Sequence, residues 1–180
     1  MVRIFIAIDL PSPIRERIKE CQAALSVAEA KLTFVNADSA HITLKFIGEV
    51  DPSQLDPIIA ALNTIRFMAF PFEVAGIAVN NPRSPRVIWG NVQDKGACAA
   101  LHQQIESVLV PFGIPREGRK FTPHVTLARV KRPHPSLSPA LRRLAEDYLG
   151  QGEAQSIKLK KSTLLPAGPQ YEDLFEVRSV

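Results

Sequence analysis

The sequence predicts an α+β fold built on mainly antiparallel sheets. Short apolar runs with a period near two alternate with longer stretches of period 3.6. Several short runs sit in hairpin-like pairs with only turn residues between them, whereas parallel strands need a long crossover. The 15 prolines fall almost wholly at the boundaries that this segmentation draws.

Each element follows from local pattern. Ile4, Ile6 and Ile8 alternate with Phe5 and Ala7 as a buried first strand. Pro11 and Pro13 open a helix, where a missing N–H costs nothing, and its apolar stripe is Ile14, Ile18, Cys21 and Leu25. A short strand at Leu32–Val35 precedes a longer one at His41–Ile47, ended by Gly48 and Asp51-Pro52. Leu55, Ile58, Ile59, Leu62 and Ile65 mark a second helix. Strands at Phe70–Val79 and Arg86–Val92 flank the turn Asn80-Asn81-Pro82. Leu101, Ile105, Val108 and Leu109 mark a third helix, closed by Gly113, and a strand covers Phe121–Val130. Ser138-Pro139 reads as N-cap and first residue of a fourth helix that runs almost to Gly150. Two last strands, Ser156–Leu165 and Tyr171–Val177, join through Pro166-Ala167-Gly168-Pro169.

The chain of 180 residues reads as a single domain over residues 1–180, or two small lobes sharing a core, with no linker between. At 46% hydrophobic and 22% charged residues it lies near the globular averages, which excludes disorder. No apolar run approaches the roughly 18–20 residues of a membrane span. The first nine residues read as a strand rather than a signal peptide. Cys21 and Cys98 form neither a disulfide framework nor a zinc spacing, so the expected compartment is the reducing cytoplasm. Between Arg116 and Arg132 six cations face one anion, a net +5 in a chain of net +4. That segment is either a solvated loop or an anion site such as one for nucleic-acid phosphates.

Chemistry enters with a repeated tetrapeptide. His41-Ile42-Thr43-Leu44 returns as His124-Val125-Thr126-Leu127, each within a predicted strand. With four histidines and six threonines in the chain, such a pair arises by chance in about one random sequence in 10⁵–10⁶. Side chains alternate along a strand, so His41 and Thr43 share one face and Ile42 and Leu44 the other. His124 and Thr126 are placed the same way. Each strand therefore gives the core an apolar face and a cleft an imidazole and a hydroxyl. One imidazole can accept a proton while the other donates one. Hydroxyls donate well to anionic oxygens. The set fits attack of water or a hydroxyl on a phosphodiester. No third His, Cys or carboxylate lies two or four residues from either motif, so no metal site is expected. No Gly-x-Ser-x-Gly turn supports a serine nucleophile.

With these motifs the sequence resembles the 2H phosphoesterase superfamily. Its wider segments Arg3–Pro11, His41–Val50 and Phe121–Arg129, with Ser162-Thr163-Leu164 and Gly168-Pro169-Gln170-Tyr171, are similar to the RNA 2′,3′-cyclic phosphodiesterases, also called 2′-5′ RNA ligases. The one departure is Phe34 where tryptophan often precedes the first motif. The resemblance implies two pseudo-symmetric lobes, outer helices, and a site in a V-shaped cleft between motifs. It implies metal-independent hydrolysis of an RNA 2′,3′-cyclic phosphate to a 2′-phosphomonoester with no cofactor. His41 would be proton donor to the leaving 3′-oxygen and His124 proton acceptor for water, with Thr43 and Thr126 on the non-bridging oxygens. The family name also records reversible 2′-5′ ligation. The implied partners are RNA ends carrying a cyclic phosphate, tRNA-like fragments among them, met by a monomer away from membranes.

The residues beside the motifs divide by face. Family pattern gives Arg129 to the phosphate or RNA end, yet strict alternation puts it opposite His124, so the role requires a bulge. Alternation puts Phe46 with Leu44 in the core; on the other face it would stack on a base. Arg119 and Lys120 are candidates for backbone phosphates. His102 and His134 read as incidental, and Trp89 as core. Rival readings are a 2H enzyme acting on ADP-ribose cyclic phosphate or 2′-5′ oligonucleotides, and a non-catalytic RNA-binding module. The basic segment and close motif matches favour the first reading over the second, and the intact motifs argue against the third.

Overall fold

Every strand pairing is antiparallel. In a computed structural model covering residues 1–180, the chain runs β1 (Val2–Asp9), α1 (Ser12–Leu25), β2 (Lys31–Phe34), β3 (His41–Val50), α2 (Leu55–Leu62), β4 (Phe70–Val79), β5 (Val87–Gln93), α3 (Ala97–Leu109), β6 (His124–Arg132), α4 (Leu137–Leu144), β7 (Tyr148–Ala154), β8 (Ser156–Leu165) and β9 (Gly168–Arg178). The sheet order is β7-β4-β5-β6-β3-β1-β8-β9, with β2 added to β6.

The two motif strands lie at the centre of this order. Outward from β3 come β1, β8 and β9; outward from β6 come β5, β4 and β7. These are the two pseudo-symmetric lobes. They touch as a ladder only at Ile42 against Val125. Beyond that pair β3 and β6 part, and β2 takes over the edge of β6 by pairing from Ala128 to Arg132. The divergence opens the cleft.

The opposite face of the sheet carries the core, in which 37 buried residues form one cluster. Ile4, Ile6 and Ile8 enter it from β1, and Ile42, Leu44, Val125 and Leu127 from the motifs. The helices close it: α1 packs on β6 and β7 and against α4, α3 on β3, and α4 on β4. The α1 stripe Ile14, Ile18, Cys21 and Leu25 is buried as the spacing predicts. Burying one such aliphatic side chain is worth about 1.5–3 kcal/mol.

Several boundaries differ from expectation; β3 runs through Gly48 to Val50, and β9 begins at Gly168 rather than Tyr171. The last helix starts earlier, from Ser136 as N-cap, and ends at Leu144. Gly150 does not follow that helix; it lies inside β7, a strand the pattern concealed. Tyr148–Ala154 carries two glycines where β-branched residues signal a strand. The reason is packing: a Cβ on Gly152 would stand 2.6 Å from the Phe72 ring. The strand expected from Phe121 begins at His124. The expected second helix stops at Leu62, and Ile65 is buried beyond it.

Candidate active site

The single β3–β6 contact builds the site. Since Ile42 opposes Val125 in an antiparallel pair, Thr43 lies across from His124 and His41 across from Thr126. Ile42 and Val125 are fully buried on the core side. The two imidazoles and two hydroxyls therefore share the opposite face, at the root of the cleft. Both threonines are half-buried, and neither hydroxyl is sealed from solvent.

The histidines are held alike. The Nδ1 of His41 lies 2.9 Å from the carbonyl of Ser39, and that of His124 lies 2.8 Å from the carbonyl of Thr122. A carbonyl can only accept, so each Nδ1 carries a hydrogen and each Nε2 is left for chemistry. An aromatic ring supports each imidazole. Phe5 lies 4.9 Å from His41 and Trp89 4.5 Å from His124, both tilted by about 30°. Tyr171 meets His41 edge-on at 5.3 Å and Phe5 at 5.0 Å.

Burial lowers the His41 pKa below its ordinary value, the Lys160 cation adds to the fall, and Asp9 opposes it. Lys160 and Lys158 are in turn bridged by Asp9 and Asp173 on the cleft side of β1, β8 and β9. Burial raises the Tyr171 pKa against the pull of Arg129 and Arg3.

A bulge in each motif strand decides where the residues five beyond the histidines point. On β3 Leu44 has no partner between the pairs Ile6–Lys45 and Ala7–Thr43. On β6 Leu127 has none between Ile88–Ala128 and Trp89–Thr126. Two successive side chains thus face the core, Leu44 with Lys45 and Leu127 with Ala128. The next ones, Phe46 and Arg129, return to the face of the histidines. This overturns the core placement of Phe46, which is 62% exposed and lies 5.8 Å from Phe5. It also supplies the bulge that Arg129 required.

The other candidates divide. Arg119 and Lys120 are exposed on the loop before β6 and make no ion pair. The structure does not join them to the motif residues. Trp89 is not core but half-buried against His124, with its indole N–H donated to Asn91. His102 is buried and structural: its Nδ1 is 2.7 Å from the Leu44 carbonyl and its ring stacks on Phe121 at 4.3 Å. His134 faces Glu29 on the surface. Phe5, Trp89, Tyr171 and Asp9 were missed as site residues. One signal existed for three of them: a strand beside each motif exposes its non-core positions to the same cleft.

Known proteins resemble this chain in sequence and in fold. The family model LigT like Phosphoesterase matches residues 8–89 and 92–171, one motif in each segment. The chain is 34% identical to the RNA 2′,3′-cyclic phosphodiesterase of Archaeoglobus fulgidus over 174 residues, covering 96% of this chain and 98% of that one. It is 35% identical to the protein of the same name from Aeropyrum pernix, over 91% of this chain and 95% of that one. Among solved structures, E. coli LigT complexed with 3′-AMP superposes with a TM-score of 0.81 at 25% identity, over 99% and 98% of the two chains. By sequence over nearly its whole length and by superposition of its fold, the chain belongs to the LigT-like 2H phosphoesterase family.

Proposed function

We propose that this protein opens RNA 2′,3′-cyclic phosphates to 2′-phosphomonoesters. The observation that carries the reading is the pair of Nε2 atoms presented from equivalent places on two strands that meet at one residue pair. Relatives named RNA 2′,3′-cyclic phosphodiesterase, similar over nearly the whole chain, support the substrate class.

In this reading water attacks phosphorus while His124 Nε2 takes its proton. The bond from phosphorus to the 3′-oxygen breaks, and His41 Nε2 protonates that oxygen. Thr43 and Thr126 hold the two non-bridging oxygens, each such bond to a charged group contributing about 1.5–3 kcal/mol. Ring strain in the cyclic ester lowers the need for further electrophilic help, so the reaction needs no metal. Ligation is the same chemistry with the 5′-hydroxyl of a second RNA in place of water: its oxygen bonds to phosphorus as its proton passes to His124, the bond to the 3′-oxygen breaks and that oxygen is protonated by His41, leaving a 2′-5′ linkage. The whole chain acts as one functional unit, because each lobe supplies one histidine.

The substrate is tested by comparing an RNA ending in a cyclic phosphate with ADP-ribose 1″,2″-cyclic phosphate and a linear 2′-5′ oligonucleotide, all in excess chelator. The RNA should be turned over with the highest kcat/KM, unaffected by chelator. Preference for either other compound would transfer the site to that chemistry. Loss of activity that a divalent ion restores would overturn the metal-free mechanism.

The lowered pKa of His41 gives a pH prediction. The group must be protonated to act as donor, yet burial favours its neutral form in the free enzyme. A bound phosphodiester anion opposes that effect and raises the pKa. Since kcat/KM reports the free enzyme and kcat the complex, the alkaline limb of kcat should lie at higher pH than that of kcat/KM. A limb that moves to lower pH on binding would contradict the donor role.

The basic segment gives a salt prediction. Each phosphate contact on a single strand contributes about 0.7 to the slope of log affinity against log salt. A longer RNA should bind more tightly than a cyclic mononucleotide, by a margin that shrinks as salt rises. Lys120→Ala should flatten the slope without altering mononucleotide turnover. Arg129→Ala should reduce turnover of both substrates. Equal slopes for both substrates in the wild type would make the segment a solvated loop.

A further inference from the structure

The two bulges are sealed from beneath by side chains that no part of the reaction uses. In the second lobe the Leu127 carbonyl accepts from Gln22 Nε2 of α1 at 3.1 Å. The same amide also donates to the Val35 carbonyl at 2.8 Å, while Val35 N–H donates to the Leu127 carbonyl at 3.0 Å. In the first lobe the Leu44 carbonyl accepts from His102 Nδ1 of α3 at 2.7 Å. Leu44 and Leu127 are equivalent, each three residues beyond its motif histidine and each skipped in the ladder with the neighbouring strand, β1 for Leu44 and β5 for Leu127. The helices are equivalent as well: α1 follows β1 and packs on β6, and α3 follows β5 and packs on β3. Two unlike residues thus meet the same need at pseudo-symmetric places.

The need is physical. A bulge removes its residue from the ladder with the neighbouring strand, and a buried carbonyl left short of donors is destabilising. Regular pairing would relieve that cost, but it would turn every later side chain to the other face. Arg129 would then point into the core, and Phe46 with it. His102 supplies the donor at Leu44, and at Leu127 Gln22 adds a second donor beside the Val35 N–H and ties the carbonyls of Leu127 and Val35 to α1, so in both lobes the helix side chain opposes a slip.

We propose that Gln22 and His102 are positioning residues that hold the motif bulges and so keep Arg129 and Phe46 on the cleft face. Gln22 acts through Arg129, and His102 through Phe46. The inference rests on the proposed cyclic phosphodiesterase reading, in which those two side chains meet substrate. It assigns each lobe its own clamp, so a defect in one should leave the other intact.

The test is a double-mutant cycle on cyclic-phosphate RNA. Gln22→Met keeps a straight side chain and removes the donor. His102→Phe keeps the stack on Phe121 and removes the donor. Loss of one such hydrogen bond corresponds to roughly 3–10-fold. Gln22→Met should lower kcat/KM by that factor in the wild-type background and by less than about twofold in the Arg129→Ala background, since coupled residues are not additive. His102→Phe should couple in the same way to Phe46→Ala and not to Arg129→Ala. His102→Gln, which keeps an N–H donor, should recover part of the loss. Hydrogen exchange gives a reading independent of turnover: amides of residues 127–130 should exchange faster in Gln22→Met, and those of 44–47 in His102→Phe. Full additivity of Gln22→Met with Arg129→Ala, or exchange that rises equally in both lobes, would overturn the proposal. Failure of the wild type to open the cyclic phosphate would instead remove the proposed function, and the exchange pattern would still judge the clamps.

Discussion

His41→Ala and His124→Ala should each lower kcat on a cyclic-phosphate RNA by about 10²–10⁴-fold, the usual worth of one general acid or base. The double variant should lose less than the product of the two factors, because the residues act as a unit. The expectation follows from the geometry. Each Nδ1 is occupied by a backbone carbonyl, so no proton can reach substrate except through Nε2. In the proposed in-line displacement neither imidazole can replace the other, since water and the leaving oxygen would lie on opposite sides of phosphorus. Rates for the three variants under saturating substrate check it. Near-native turnover in either single variant would contradict the assignment.

The second large effect is on stability. Lys45 follows the first bulge and is only 6% exposed; Glu106 of α3, 5% exposed, holds it at 2.5 Å. Lys45 also donates to the Pro115 carbonyl at 2.8 Å, and Glu106 accepts from the Glu117 N–H at 3.0 Å. The pair thus ties β3 to the loop that carries Arg119 and Lys120. Removing one partner of a buried pair typically costs about 3–5 kcal/mol, because the other charge stays buried alone. For a chain of this size that is a fall in melting temperature of roughly 6–20 °C. Lys45→Met should show it, and Lys45→Met with Glu106→Leu should recover much of it.

The pH dependence of the same pair has a definite sign. Burial alone would raise the Glu106 pKa, but the Lys45 and Glu117 hydrogen bonds outweigh it and hold it below its ordinary 4.5. A carboxyl with a lowered folded-state pKa stabilises above its unfolded pKa and loses that contribution as pH falls through the folded value. Wild-type stability should therefore decline on acidification in that range. Lys45→Met should decline less, since its unpaired carboxyl gains from protonation. Thermal unfolding across pH 3–7 decides between these outcomes.

The sequence made the motif strands and the first three helices legible because their apolar spacing is strong, whereas the fourth helix, read from Ser138-Pro139 and Gly150, was found with its ends misplaced. His41, Thr43, His124 and Thr126 were found by repetition and placed on one face by alternation. Phe46 was misplaced because alternation assumes a regular ladder. The bulges at Leu44 and Leu127 depend on partners in β1 and β5, far along the chain, and on donors from α3 and α1. Nothing in the local pattern of either strand announces them. Trp89 and Tyr171 escaped for a related reason: each reaches a histidine only through a strand order that brings distant segments together. The strand β7 was hidden by Gly150 and Gly152, which serve packing rather than propensity.

The most direct measurement follows the phosphate itself. An RNA ending in a 2′,3′-cyclic phosphate is incubated with the wild type and with His41→Ala and His124→Ala, and the products are resolved by phosphorus NMR. The wild type should yield the 2′-phosphomonoester alone, and both variants should leave the cyclic ester almost untouched. A 3′-phosphate product, an unopened ring with the wild type, or equal conversion by either variant would contradict the account.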